Sequence, residues 1–421
     1  MSDTLPLDDE WVSGLGKKVA DTKWEEWRSQ PPTIFKAPKH IREIDTGAYE
    51  PVILSVGPYH RDKPHLQAMN LIKWHYLKKF LLRNPVKSLV DYLKQVKALE
   101  SQARMSYAEE LNMSSNDFLQ MLLLDACFVV ETITFWEQTE QGLEAVQNPI
   151  KITSWALQAV ARDMLLLENQ LPFFLLQTLF DAAFPYQSGN LAVLALNFIG
   201  RFVRTSNMEI ASLSGSSHHL LHIFHSCIIP ETERDRNPVV VTGQPTSELP
   251  WMPNATLLKE VGVQFKMRVA AKSFLDVTFQ HGVMEMAQLI IDEDTNTLFR
   301  NLTAFEQCHK RANPVVTAYL FLMNSIIDTA ADVQLLKRDK IVIGAWSHSK
   351  EVAHLFHDLV TDKVFDSRWR PPSIFSDVAK HYDSNRHRAT DFNTRRAFIS
   401  LFSVIIVLTL FTIVSYFWPP K

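Results

Sequence analysis

The chain has 421 residues, 46% of them hydrophobic, with 43 Lys and Arg against 46 Asp and Glu. That is enough apolar material for one large domain or two ordinary ones and excludes a disordered chain, and a net charge of −3 gives no bulk attraction to nucleic acid. Only 12 glycines occur, none in a Gly-rich phosphate loop, dinucleotide fingerprint or nucleophile elbow, so no cofactor is expected and the easiest enzyme readings fall away.

Residues 1–30 carry Asp3, Asp8, Asp9, Glu10, Trp11, Trp24 and Trp27 with little periodicity, and read as an acidic, Trp-rich arm rather than a secretory signal. An extended lead-in follows, punctuated by Pro31, Pro32 and Pro38. Residues 51–59 (PVILSVGPY) are apolar and β-branched and close on Gly57 and Pro58, which predicts a buried strand or an extended segment ending in a turn. From Pro64 onward Met69, Ile72, Tyr76 and Phe80 recur at helical spacing, with Lys73, Lys78 and Lys79 assigned to other faces. The same period continues over 89–99. Residues 118–131 are apolar on nearly every side and predict a central helix, within which Asp125 is expected to pair with a basic side chain of a neighbouring helix.

The most unusual stretch is 163–175, DMLLLENQLPFFL, where Glu168, Asn169 and Gln170 interrupt an otherwise apolar run. A carboxylate and two amides are costly to bury unless their hydrogen bonds are made. Pro172 biases Leu171 away from the α region, which predicts a helix, one tight turn carrying the triplet, and a second helix with Pro172 in its first turn. The triplet reads foremost as a structural polar network locking two core helices. The competing reading is a binding or catalytic pocket around Glu168.

Residues 191–202 predict another apolar helix. In 216–228, His218, His222 and His225 are spaced four and three apart, with His219 adjacent, which is ligand-like spacing for zinc. Leu220, Leu221, Phe224 and Ile228 form the opposite stripe, so the plainer expectation is an amphipathic helix with a histidine-bearing solvent face and no metal. Residues 231–250 carry Pro238, Gly243, Pro245 and Pro250 without periodicity and read as a mobile surface loop. Alternation over 261–268 and 274–279 predicts a small β element. Helices are expected over 298–309 and 315–329, and 341–359 closes the domain. Cys127, Cys227 and Cys308 sit far apart among apolar neighbours, as reduced core thiols do.

Residues 363–396 read as a basic juxtamembrane stalk, containing Arg386, Arg388, Arg395 and Arg396. The next 22 residues, with Ala397 and Trp418 as ends, carry no charge. As a helix they would reach about 33 Å, enough for a single transmembrane span. The arginines before the span, against Lys421 alone after it, predict a tail-anchored topology with the large domain in the cytosol. Either the plasma membrane or the endoplasmic reticulum would accept such a span. Glycan on any of the three sequons, at Asn112, Asn254 and Asn301, would place the domain on the other side. The sequence therefore predicts a mainly α protein: a single large helical domain over 31–362 with a small β element, plus one C-terminal transmembrane helix.

Several blocks together resemble the plant family called domain of unknown function 247. They are IFKAPKHIR at 34–42, SVGPYH at 55–60, FLQMLLLDACFVVE at 118–131, LLLENQLPFF at 165–174, LFRNLTAFEQCH at 298–309 and IIDTAADVQLL at 326–336. The chain departs from that pattern at Met252, Pro253, Asn254 and Ala255, and at Arg395 and Arg396 before the span. The resemblance brings no catalytic residues. It implies a membrane-anchored plant protein acting by protein–protein recognition or signalling through an unidentified protein partner, and for a subset of grass members a pollen-side determinant of self-incompatibility. Two alternatives stand beside it: an enzyme using Glu168 with Asp125 or Glu306, and a passive membrane scaffold.

Overall fold

A computed structural model of the chain describes residues 8–20, 31–140, 154–185, 190–203, 217–230, 251–309, 312–344, 348–361 and 372–386. The fold is mainly helical. Its helices run α1 (Asp9–Ala20), α2 (Lys39–Arg42), α3 (Gln67–Leu81), α4 (Leu89–Ala98), α5 (Glu100–Met105), α6 (Ser115–Glu140), α7 (Ser154–Asp163) and α8 (Phe173–Ala183). They continue with α9 (Leu191–Phe202), α10 (Leu220–Ile228), α11 (Ala255–Glu260), α12 (Thr295–Cys308), α13 (Val315–Ile326), α14 (Ala330–Arg338) and α15 (Ser349–Val360), and residues 373–386 form α16.

The predicted central helix is α6. Phe118, Leu122, Ala126, Phe128, Val129 and Val130 are all fully buried, and α3, α4, α8 and α9 pack around it. Among the described residues it is the one helix long and apolar enough to cross a membrane, but 83% of its most apolar window is buried inside the domain, as befits a core helix. The expected span at 397–418 and the expected loop at 231–250 lie outside the described residues.

The small β element is larger than the alternation implied. Strands β1 (Gln264–Met267), β2 (Val277–Gln280) and β3 (Val283–Met286) form a sheet of order β1-β3-β2, in which β1 is parallel and β2 antiparallel to β3. A separate parallel pair joins β4 (Leu289–Ile291) to β5 (Val342–Gly344). His281 and Gly282, both at positive φ, make the two-residue β2–β3 turn, the backbone pattern that matches strand twist in a hairpin.

Four expectations are corrected. The acidic arm contains α1, whose Trp11, Val12, Leu15 and Val19 are exposed. Lys73 lies on the buried stripe of α3 beside Met69, Tyr76 and Phe80, where the sequence reading had put it on an outer face. The link from α7 to α8 is a nine-residue buried passage, 164–172, in place of one tight turn, and Pro172 is the N-cap of α8, just ahead of its first turn. Finally, the stretch read as a stalk contributes α16 to the domain. Phe375 and Val378 are buried, Tyr382 meets Trp251 edge-on, and the ring of His381 stands on Phe279 and against Gly282 at the hairpin turn. The folded unit therefore reaches residue 386 rather than ending at 362.

Candidate functional site

The polar triplet sits in a network that holds the segment 50–57 and the lead-in 34–42 against the helical core. Asp163, the last residue of α7, accepts hydrogen bonds from the amides of Val52, Ile53 and Leu54 at 2.9–3.0 Å. Asn169 then takes over. Its Oδ1 accepts from the Val56 amide at 2.6 Å and its Nδ2 donates to Leu54 and Asp163 carbonyls at 2.9 and 2.8 Å. Asp125 of α6 receives the Gly57 amide at 2.8 Å. Three side chains thus satisfy five backbone donors, which lets residues 54–57 be buried with no partner strand among the described residues.

Burial pushes the Asp163 carboxyl up, against the pull of the Ile53, Val52 and Leu54 amides and of Arg162. Glu168 goes the other way. Burial alone would raise its carboxyl, but His60, the Ala37 amide and the Arg42 guanidinium outweigh that and hold it below the ordinary value. Ala37 donates to Oε1 at 2.9 Å and Arg42 to Oε2 at 2.5 Å, while the buried His60 ring stands 3.4 Å from Oε2 without a well-aligned hydrogen bond. Arg42 also pairs with Glu50, which Lys63 meets from the other side.

Gln170 completes the triplet. Its Nε2 donates to the Met164 and Leu166 carbonyls at 2.7 and 2.8 Å, folding the passage back on itself, and its Oε1 accepts from Leu221 of α10. The Gln170 carbonyl receives the Tyr107 hydroxyl and lies so near Gly57 that a Cβ there would approach it to 2.6 Å. With φ at +78°, position 57 admits only glycine on both counts. From α12, Asn301 binds the Leu167 amide and the Ala48 carbonyl, tying the same passage to the opposite wall. Asn301 is 1% exposed with its amide engaged, so of the three sequons this one is closed to glycan in the folded chain.

The network therefore clamps a backbone segment onto the core as well as fixing one helix against the next, a wider role than the sequence reading gave it. The triplet itself is closed to solvent. Glu168, Asn169 and Gln170 are 1–3% exposed. A cavity of about 50 Å³ beneath Leu165 and Leu166 is lined by Phe202, Phe274 and Phe299, with Arg162 and Asp294 paired at 3.3 Å, and holds at most a few waters. A polar hollow of about 310 Å³ lies by Lys36, Tyr59, Glu109 and Asp117. Glu168 lines neither.

The other carboxylates proposed for acid–base work are also engaged. Asp125 pairs with Lys73 at 2.6 Å, and Lys73 donates to the Ser55 carbonyl as well. Glu306 accepts from the Val316 and Thr317 amides and the Thr317 hydroxyl and faces His225 Nε2 at 3.0 Å. Glu131, which the sequence reading passed over, is fully buried against Arg83.

The histidines differ from expectation. The solvent face predicted for them is an interior one: α10 begins at Leu220, His219 is its N-cap, and His219 and His225 are buried. His219 binds the Thr33 carbonyl, His225 turns to Glu306, and His218 and His222 stack at 4.8 Å with His309 beside both. His309 joins His218 and His222 in place of His225, and among the described residues no three such side chains are arranged to hold a metal ion. Burial pushes the His222 imidazole down to about 3, helped by His218, and drives His219 well below the ordinary value. Both rings stay neutral in the fold at a pH where they protonate in the unfolded chain, near 6.5, so the fold loses stability as pH falls below that value, for His222 until about 3. Between pH 7 and 5 the loss is about 2 kcal/mol for His222. In urea unfolding at pH 7 and pH 5, His222→Phe is expected to remove about that much of the acid sensitivity; an unchanged pH dependence would contradict it.

The profile of DUF247, described as a plant protein of unknown function, matches residues 34–414. A UPF0481 protein of Arabidopsis thaliana is 28% identical over 352 residues, covering 79% of this chain and 73% of that one. A putative UPF0481 protein from the same plant is 21% identical over 444 aligned positions, 83% of this chain and 82% of its own. No solved structure matches the chain.

Proposed function

The chain belongs to the plant family DUF247, and from that premise we propose that it is a membrane-tethered recognition protein, without catalytic activity, whose helical domain binds a protein partner on the cytosolic side. The observation that carries the reading is the condition of the carboxylates. Glu168, Asp125 and Glu306, the candidates for acid–base chemistry, are sealed in the core against Arg42, Lys73 and His225 and act as structural ties. The charge-free segment 397–418 and the arginines before it support the tether and its orientation.

Removing residues 397–421 separates recognition from scaffolding. The truncated chain is expected to leave the membrane fraction yet still capture the partner taken by the full chain; loss of capture on release favours the scaffold. Asn112, which is exposed, reports topology in the same preparation, since a glycan there would place the domain away from the cytosol. A narrower version, a pollen-side role in self-incompatibility, is supported by pollen-confined expression that segregates with pollen rejection and overturned by broad expression in leaf or root.

A further inference from the structure

The corner between α3 and α4 is ordered, apolar and turned to water. Leu82, Val86, Leu89 and Val90 are 74%, 90%, 42% and 55% exposed, and Leu71 and Trp74 extend the apolar surface back along α3. Leu71, Trp74, Lys78 and Leu82 fall at spacings of three or four, so they share one outer face of the helix and its continuation. The corner is pinned. Asn84 donates to the Ala182 carbonyl, Arg83 pairs with the buried Glu131, the Lys87 amide closes a turn on Asn84, and Ser88 with Asp91 forms a capping box on α4. Exposed aliphatic side chains on a rigid corner cost solvation and point to something that covers them.

Charge identifies the cover. Between residues 63 and 90 the chain has no Asp or Glu and carries Lys63, Lys73, Lys78, Lys79, Arg83 and Lys87, although the chain as a whole is at −3. Lys73, Lys79 and Arg83 face carboxylates of α6, whereas Lys78 is exposed on the same outer face as Leu71 and Trp74, Lys87 stands within the corner, and Lys94 is exposed one turn into α4. Aliphatic side chains and a tryptophan ringed by lysines, with Asp91 beside them taken up by Ser88 in the cap of α4, match the boundary of an anionic bilayer, where the apolar groups enter the headgroup region and the lysines meet lipid phosphates and carboxylates. An acidic protein would reward the lysines but leave Val86 and Leu82 unsatisfied.

We propose that the α3–α4 corner, through Leu71, Trp74, Leu82 and Val86 with Lys78, Lys87 and Lys94, docks the domain on an anionic lipid surface. This rests on the membrane-tether reading and adds to it a second contact, one that fixes how the domain lies once the tether is in place. The cytosolic leaflet, which is the anionic one, is the surface it would meet.

The test uses the full chain in vesicles of phosphatidylcholine alone or with phosphatidylserine, carrying an environment-sensitive fluorophore on Val86→Cys or, as control, on Val269→Cys, which is 76% exposed on another part of the domain. Tethering is read independently by resistance to alkaline extraction. The proposal expects a blue shift at position 86 that needs phosphatidylserine, no shift at 269, and about a fivefold weaker lipid response in Lys78→Gln, the factor one cation contributes near an anionic surface. No shift at 86 in chains that resist extraction overturns the docking surface and leaves the tether standing. Extractable chains that still shift at 86 retain the docking surface and overturn the tether. An equal shift in neutral vesicles, at 269, or without lipid as protein concentration rises overturns the proposal in favour of non-specific adsorption or a second copy of the chain.

Discussion

Glu168→Ala is expected to destabilise the fold by about 3–5 kcal/mol, the cost of stripping one partner from a buried ion pair. Two groups lose their acceptor, the Ala37 amide and the Arg42 guanidinium, and the His60 ring loses the carboxylate 3.4 Å from it. They do not suffer equally. Arg42 is about a quarter exposed and still faces Glu50, so it rehydrates in part, whereas His60 is 2% exposed and would be left with Glu50 alone at 3.7 Å. The lower half of the range is therefore the better expectation. Glu168→Gln keeps an acceptor for the Ala37 amide but not the charge, and should fall between the two. Urea unfolding of the full chain in non-ionic micelles reads all three proteins. A Glu168→Ala loss below about 1 kcal/mol would mean that the network is not what holds the lead-in to the core.

The helices were legible wherever apolar period was the deciding term. Residues 191–202 and 118–131 read as helix because burial fixes their stripes, and α9 and α6 lie there. What escaped was the identity of partners distant in sequence. Lys73 falls four residues after Met69 and three before Tyr76, inside the very stripe that was recognised, yet its charge led to its assignment outside. A cation in a core stripe and a carboxylate in a core helix, Asp125, together signal one ion pair across 52 residues, but neither alone does so. Similarly, residues 51–59 read as strand or extended segment, and what decides for the second is that Asp163, Asn169 and Asp125 accept hydrogen bonds from its amides in place of a neighbouring strand. The spacing of the histidines predicts one helix face, but His218 lies ahead of α10, and the wall they meet, Glu306 on α12 and His309 just after it, lies more than 80 residues away. The β2–β3 hairpin had a local sign in His281-Gly282, a pair suited to positive φ between two short apolar runs.

The Lys73–Asp125 pair allows the sharpest test, because its two single variants and its double variant are expected to break additivity. Lys73 is 3% exposed and bonds Asp125 Oδ1 and the Ser55 carbonyl; Asp125 also receives the Gly57 amide. Lys73→Met leaves a carboxylate in the core with a single amide donor, and Asp125→Asn sets an amide against an ammonium that no water can reach. Each is expected to cost about 3–5 kcal/mol, since an uncompensated buried charge is dearer than the pair was worth. In Lys73→Met with Asp125→Asn neither charge remains, and the Asn oxygen still accepts from Gly57. The double variant should therefore be no less stable than either single one, with a coupling energy of at least about 3 kcal/mol. Strict additivity would show that the two groups do not share one electrostatic environment. The coupling also has a geometric consequence, because Gly57 is held between Asp125 on one side and the Gln170 carbonyl on the other. If the charges in α3 and α6 set the position of the 55–57 turn, then the double variant, although folded, should expose the amides of Val56 and Gly57 to faster hydrogen exchange than the wild type, while those in the middle of α6 stay protected.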